Sequence, residues 1–215
     1  MGIMRGTMKE LGIKKNFLAI EKEFSNYKDS NIVIVSAPLE KTVSYGKGTS
    51  KGPEEILETS HYVEFYDEEQ SRELCFEKGI CTFEALNLQK LSVEKSLDKI
   101  YKEVSKHLDA GKFVVTLGGE HSLSTAPIKA HHERFPNLSI LQIDAHSDLR
   151  DSYEGSKYSH ASVMARVAEF NPNIVQVGIR AQCKEEVELR KRKNIKTFYA
   201  REIKLGMYGN NWQEL

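Results

Sequence analysis

The sequence predicts an α/β fold whose sheet is mostly parallel and covered on both faces by helices. Three observations predict it: short apolar runs of strand length recur along the chain, stretches of helical periodicity separate them, and polar clusters follow two of the runs. Strands that alternate with helices pair in parallel through right-handed crossovers. Open sheets of this kind bind ligands at the carboxyl ends of their strands.

The first run, Ile32-Val33-Ile34-Val35, ends at Ser36-Ala37-Pro38 and leads into a loop from Gly46 to Gly52. Pro53 fits a first helical position, where its missing N–H costs nothing, and starts a helix through about Thr59. From Ser92, the residues Leu97, Ile100, Tyr101, Val104 and Leu108 fall on one helical face, and Gly111 closes this helix. A strand Phe113–Leu117, a helix from about Leu123 to Arg134 and a strand Leu138–Ile143 follow. Next come a helix Ala161–Phe170 stopped by Asn171-Pro172, a strand Ile174–Ile179, a charged helix Lys184–Lys193 and a strand near Ile195 to Tyr199. No repeat or low-complexity linker interrupts the series, so a single domain over residues 1–215 is the economical expectation.

Bulk properties exclude several classes of function. Thirty-one basic and thirty-one acidic residues give zero formal net charge, so no global field would draw in nucleic acid or an anionic membrane. Met1 to Ser30 lacks the apolar core of a signal peptide, and no run approaches bilayer-spanning length. Cys75, Cys81 and Cys183 cannot all pair within the chain and show no zinc-type spacing, which suits a reducing cytoplasmic setting. Gly46, Gly48 and Gly52 lack a Gly-Lys-Ser/Thr unit in phosphate-loop spacing, so no nucleotide or other organic cofactor is expected. Ser122 and Ser124 lack the strand-elbow context of a serine nucleophile. The run Arg190-Lys191-Arg192-Lys193 reads as a solvated helix face, His131-His132 as helix surface, and Glu120 as a side chain that turns outward. His61 and His107 have no partner visible in the sequence.

The informative motif is Asp144-x-His146-x-Asp148, directly after the run ending at Ile143. A strand alternates its faces and rises about 3.3 Å per residue, so the three side chains share a face over about 13 Å if fully extended. That span is long for one ion and suits a bend around two ions about 3.5–4 Å apart. Alone, the motif would also fit a polar strand end. A second cluster, Gly118-Gly119-Glu120-His121-Ser122, follows the strand 113–117, and its glycine pair lets the backbone turn tightly and deliver His121 to the mouth of the sheet. Oxygen and imidazole donors without thiolate favour a hard ion such as Mn²⁺, with zinc as the alternative.

Leu117 to Ser122 (LGGEHS), Asp144 to Asp148 (DAHSD) and Ser159 to Arg166 (SHASVMAR) resemble the ureohydrolase family of arginases and agmatinases. Ala37-Pro38, the Gly46–Pro53 stretch and Gln176-Val177-Gly178-Ile179-Arg180 extend the likeness over most of the chain in the family's order. The segment from Arg150 to Arg166 is more like agmatinases, because it lacks the Asn-rich loop with which arginases hold the amino-acid head of arginine. The resemblance implies a three-layer αβα sandwich of the arginase and deacetylase type. It implies two Mn²⁺ ions held by His121, Asp144, His146 and Asp148, and a catalytic role for His160 as a proton shuttle. It also implies cleavage of a small guanidino substrate, agmatine, to urea and putrescine by a metal-bridging hydroxide. That places the protein in polyamine biosynthesis as a cytoplasmic homo-oligomer, a trimer or hexamer.

A guanidinium carbon is a poor electrophile, so metal-activated water suits the reaction, and a histidine suits protonation of the departing amine. From the residues alone His160 reads as an ordinary first-turn residue behind the N-cap Ser159. Other outcomes are an arginase, a formiminoglutamate hydrolase or zinc deacetylase on the same scaffold, or a non-catalytic subunit.

One departure is plain: family members carry a further Asp pair after a later strand, and the last aspartate here is Asp151. Asn210-Asn211 resembles a helix N-cap with Trp212–Leu215 as a first turn, so the expectation is an amino-terminal part of a longer enzyme that alone binds metal weakly and turns over nothing.

Overall fold

Val33, Ile34 and Val35 bring to the first strand the β-branched side chains that suit a pleated, buried position. The computed structural model describes residues 8–209, and the chain divides into two compact units, Met1–Leu123 and Ser124–Leu215. The reading of residues 210–215 lies outside the described residues.

The first unit runs α1 (Lys22–Ser25), β1 (Ile32–Ala37), α2 (Gly52–Thr59), α3 (Leu74–Lys78), β2 (Ile80–Thr82), α4 (Val93–Asp109) and β3 (Phe113–Gly118). Its sheet has the order β2-β1-β3 with both pairings parallel, Val33 standing opposite Cys81 and Val114. Central β1 is buried from Val33 onward. Ile34, Leu57, Ile80, Ile20 and Cys75 form one apolar cluster. The long helix α4 packs against β1 and β3. It begins where Ser92 Oγ accepts the Lys95 N–H at 3.3 Å, and buries Leu97, Ile100, Val104 and Leu108 as their spacing predicts. Each such side chain contributes about 1.5–3 kcal/mol when fully buried.

His107 joins that face, and here the structure supplies partners that the sequence could not show. Its Nδ1 lies 3.0 Å from the Tyr27 hydroxyl and its Nε2 3.0 Å from Glu103 Oε1, while the ring stacks on Phe83. His61 Nε2 likewise meets the Asn16 carbonyl at 2.9 Å.

The second unit runs α5 (Thr125–Arg134), β4 (Ile140–Ile143), α6 (Val163–Phe170), β5 (Ile174–Ile179), α7 (Lys184–Arg192), β6 (Lys196–Tyr199) and α8 (Ala200–Lys204), with the parallel sheet order β4-β5-β6. Ile140, Ile174 and Ile195 pack with Leu149, Val163, Met164 and Val167. β4 starts at Ile140 rather than Leu138 because the Leu138 N–H is spent on a turn to the Phe135 carbonyl, and the ladder opens with Ile140 N–H to Asn173. The helix expected from Ala161 opens instead as a 3₁₀ turn, His160–Ser162. The elements α1, α3, β2 and α8 span three to five residues, too few to show a period. Among the described residues no helix is long and apolar enough to cross a membrane.

Glu103 ties this packing to pH. The His107 imidazole, 3.0 Å away, holds its carboxyl below the ordinary value against the opposing effect of burial, with Lys106 assisting. A carboxyl depressed in the folded state stabilises above its unfolded value, about 4.3, and that contribution is lost as pH falls through the folded value. Melting followed by circular dichroism should therefore fall more steeply below pH about 4.3 in the wild type than in Glu103→Gln. Identical acid limbs would mean that the pair adds nothing.

Candidate metal centre

In the first unit, β3 ends at Gly118 and the chain turns through Gly119 and Glu120 into the 3₁₀ turn His121–Ser124. A Cβ on Gly119 would stand 2.1 Å from the Leu39 carbonyl oxygen, so only glycine allows this close approach of two backbones. The Glu120 N–H donates to that same carbonyl at 2.8 Å. Glu120 does not turn outward. Its buried carboxylate accepts from the Thr42 N–H at 2.6 Å, the Thr42 hydroxyl at 3.1 Å and the Ser122 hydroxyl at 2.6 Å. The turn that presents half-buried His121 is thus fixed from the chain segment after β1.

In the second unit the expected ligand motif follows β4. One carboxylate oxygen each of Asp144 and Asp148 come within 4.8 Å of one another. The bend that brings them together is held by backbone bonds from three directions. Asp144 N–H donates to the Val177 carbonyl at 3.0 Å, and Arg180 and Ala181 N–H both donate to the Ala145 carbonyl, at 2.8 and 3.0 Å. The first N–H groups of α6, from Met164 and Ala165, donate to the Asp148 carbonyl at 2.9 and 3.2 Å. Asp148 itself adopts a left-handed backbone, φ 50°, and Leu149 beside it is buried in the apolar core. His146 is the least enclosed member: its side chain is 66% exposed, with Nδ1 3.7 Å from Asp144 Oδ1.

Beneath the loop lies a chain of buried amides. Gln176 Nε2 donates to Gln142 Oε1 at 2.6 Å and to the Ser147 carbonyl at 2.8 Å, and Gln176 Oε1 accepts from the Thr197 hydroxyl at 3.2 Å. Gln142 Nε2 in turn donates to the His146 carbonyl at 3.1 Å and to Asp144 Oδ2 at 3.3 Å. The His146 N–H occupies Asp144 Oδ1 at 2.9 Å. From α7 comes Glu186, which the charged composition of its helix assigns to solvent and the structure buries at 4% exposure. Its Oε1 accepts the Ser147 hydroxyl at 2.8 Å and the Leu149 N–H at 2.9 Å, and its Oε2 accepts the Cys183 N–H at 2.6 Å. Burial pushes this carboxyl up, but the Cys183, Ser147 and Leu149 bonds outweigh it and leave it below the ordinary glutamate value. An unpaired buried polar group costs roughly 1–3 kcal/mol, so each of these bonds matters to the loop.

Gln142, Gln176, Ser147 and Glu186 are the residues that motif reading missed. Two of them left a trace, a polar residue at an inward position of an otherwise apolar strand, in register with Ile140 and Ile174. Glu186 left none.

His160 opens its 3₁₀ turn behind Ser159 as expected. The Ser159 hydroxyl accepts the Ala161 N–H at 3.3 Å and lies 3.4 Å from His160 Nδ1, and the Tyr153 ring stands edge-on to the imidazole. The donor chemistry fits a hard divalent ion: paired carboxylates with imidazole and no thiolate.

Parallel strands that end in carboxylate and imidazole side chains define a class, α/β proteins with a cluster of potential metal donors at the carboxyl edge of the sheet. The sequence profile of the arginase family matches residues 30–213, and this chain belongs to that family. It is 39% identical over 194 residues to the N(1)-aminopropylagmatine ureohydrolase of Synechocystis sp., covering 88% of this chain and 63% of that protein. With the agmatinase of Bacillus anthracis it shares 37% over 191 residues, 87% of this chain and 61% of the other. Among solved structures it superposes on the agmatine ureohydrolase of Thermoplasma volcanium with TM-score 0.73 and 29% identity, covering 88% of this chain and 63% of that one. With the arginase of Medicago truncatula the values are 0.75 and 25%, over 84% and 59%. The chain therefore has the α/β arginase fold and spans about three-fifths of the length of these relatives.

Gly119→Ala is expected to destabilise the first unit by about 3 kcal/mol or more, since the methyl group meets backbone rather than a yielding side chain. Urea unfolding followed by fluorescence measures it, and a change below about 0.5 kcal/mol would show that the two backbones separate freely.

Proposed function

We propose that this chain is the single-domain, ligand-bearing part of a cytoplasmic agmatinase-type ureohydrolase, which cleaves the guanidino group of agmatine to give urea and putrescine. The observation that carries this reading is the Asp144–Asp148 pair, on a loop anchored to β5, α6 and α7, in a chain 37% identical to an agmatinase. In this reading the ligands of two Mn²⁺ ions would be His121, Asp144, His146 and Asp148. Bound there, the ions supply a nucleophilic water of lowered pKa at neutral pH.

The chain's own residues do the rest. Asp144 and Asp148 concentrate negative charge that draws in cations and, behind them, a guanidinium substrate. His160 gives a proton to the departing amine, a task suited to an imidazole at neutral pH. The segment from Arg150 to Arg166 contains no asparagine, and Arg166 within it is engaged with Asp151 at 2.8 Å and Glu169 at 3.1 Å. This favours a substrate without the amino-acid head of arginine. The 39% identity to an N(1)-aminopropylagmatine ureohydrolase supports a second substrate, the agmatine extended by an aminopropyl arm.

The protein isolated from the cells that make it, loaded with Mn²⁺, should release urea from agmatine or its aminopropyl derivative in preference to arginine. Asp148→Asn should lower that rate by more than about 100-fold, since outer partners of a metal site alone cost up to that factor. No urea from any guanidino compound in the metal-loaded protein would overturn the reading.

A further inference from the structure

We propose that Gln142, Gln176 and Glu186 are positioning residues that set the 144–150 loop in its ligand-presenting shape through bonds made wholly within the chain. The three are 6%, 0% and 4% exposed, so none can trade its partners for water. Between them they occupy Asp144 Oδ2, the carbonyls of His146 and Ser147, the Ser147 hydroxyl and the Leu149 N–H. Every residue from Asp144 to Leu149 except Ala145 and Asp148 is thereby touched, and those two are held by Arg180, Ala181, Met164 and Ala165 N–H groups.

Packing alone does not call for these side chains. Ile140 and Ile174, two residues earlier on the same faces of β4 and β5, fill equivalent places with apolar groups. Leucine at 142 or 176 would pack as well and spare the desolvation of two amides. What leucine could not do is fix the direction of the Ser147 and His146 carbonyls, and through them the facing of the carboxylates on either side. A buried polar network with every member satisfied specifies one arrangement, whereas one with a member missing leaves costly orphans. Glu186 extends the frame from a separate element, so the loop is gripped from the sheet below and from α7 beside it.

None of these bonds waits for an ion, so the frame should act in the metal-free chain. Only its consequence for metal rests on the ureohydrolase reading. The test is hydrogen exchange by mass spectrometry on metal-free full-length chain, read at peptides covering 144–150, β4 and β5, together with Mn²⁺ affinity by chelator competition. Glu186→Gln keeps the shape but turns an N–H₂ group toward a donor, and Gln176→Leu removes all three bonds of the Gln176 amide. Either variant should speed exchange at 144–150 by about tenfold or more while β4 and β5 change less than about twofold. Mn²⁺ affinity should fall by about ten- to a hundredfold.

Exchange of the wild-type loop at the rate of an unstructured peptide would overturn the proposal, as would variants whose loop exchange matches the wild type. If both variants also unmask β4 and β5, Ser147→Ala decides. It removes one hydroxyl donor to Glu186 and should raise exchange locally by about threefold, with no local change counting against the frame. Absence of urea release with a protected, frame-dependent loop would sink the enzymatic reading and leave the frame standing.

Discussion

Two carboxylates held within 4.8 Å of each other repel, and much of the second unit can be read as the means of holding Asp144 and Asp148 there. At an effective dielectric of about 20, like unit charges at that separation cost on the order of 3 kcal/mol. The chain offsets part of this with donors on the Asp144 carboxylate: Gln142 Nε2 on Oδ2 and the His146 N–H on Oδ1. A pair of acids forced together and partly shielded by fixed donors is a site whose electrostatics favour a cation.

The sheet explains how the donors reach the loop. Parallel pairing places Gln142 opposite Gln176, and Gln176 opposite Thr197, so three strands carry one polar rank across a single face. One step toward the amino ends that rank becomes Ile140 and Ile174, part of the apolar core. Along the strand direction the face therefore changes from greasy to polar over two residues, about 7 Å. The carboxyl edge of a parallel sheet is where such a change can occur without orphaned groups, because the loops above it supply carbonyls and N–H groups to receive the amides. The first unit solves the same problem differently, burying Glu120 under Thr42 and Ser122 to brace the turn that carries His121.

Sequence periodicity was sufficient for the long elements, and residue type for the Asp-x-His-x-Asp cluster after β4. The α4 stripe of Leu97, Ile100, Val104 and Leu108, with its Ser92 cap, repeats often enough to be unambiguous, and Asp144-x-His146-x-Asp148 announces itself by residue type. What escaped was whatever depends on partners remote in the chain. Glu186 sits among Lys184, Glu185 and Glu188 and differs from them only in facing Ser147, 39 residues away. His107 has a polar name on an apolar stripe, and the Tyr27 hydroxyl that settles its role lies 80 residues earlier. Short elements escaped for a different reason: three residues of β2 hold their place by pairing with β1, not by any pattern of their own.

Asp148 shows how the local and the remote meet. Its left-handed backbone, φ 50°, is a conformation that most side chains adopt at a cost of about 1–3 kcal/mol, though aspartate bears it better than a β-branched residue would. The repayment comes from both sides: α6 receives an acceptor for two of its otherwise unpaired N–H groups, and Leu149, thrown inward by the same turn, fills the core beside Val163 and Met164. A right-handed residue at 148 would point Leu149 away from that core and leave the start of α6 without its carbonyl. The strained residue is thus a ligand candidate because it is the point where loop, helix and core must agree, and its carboxylate faces Asp144 as the outcome of that agreement rather than as an independent choice.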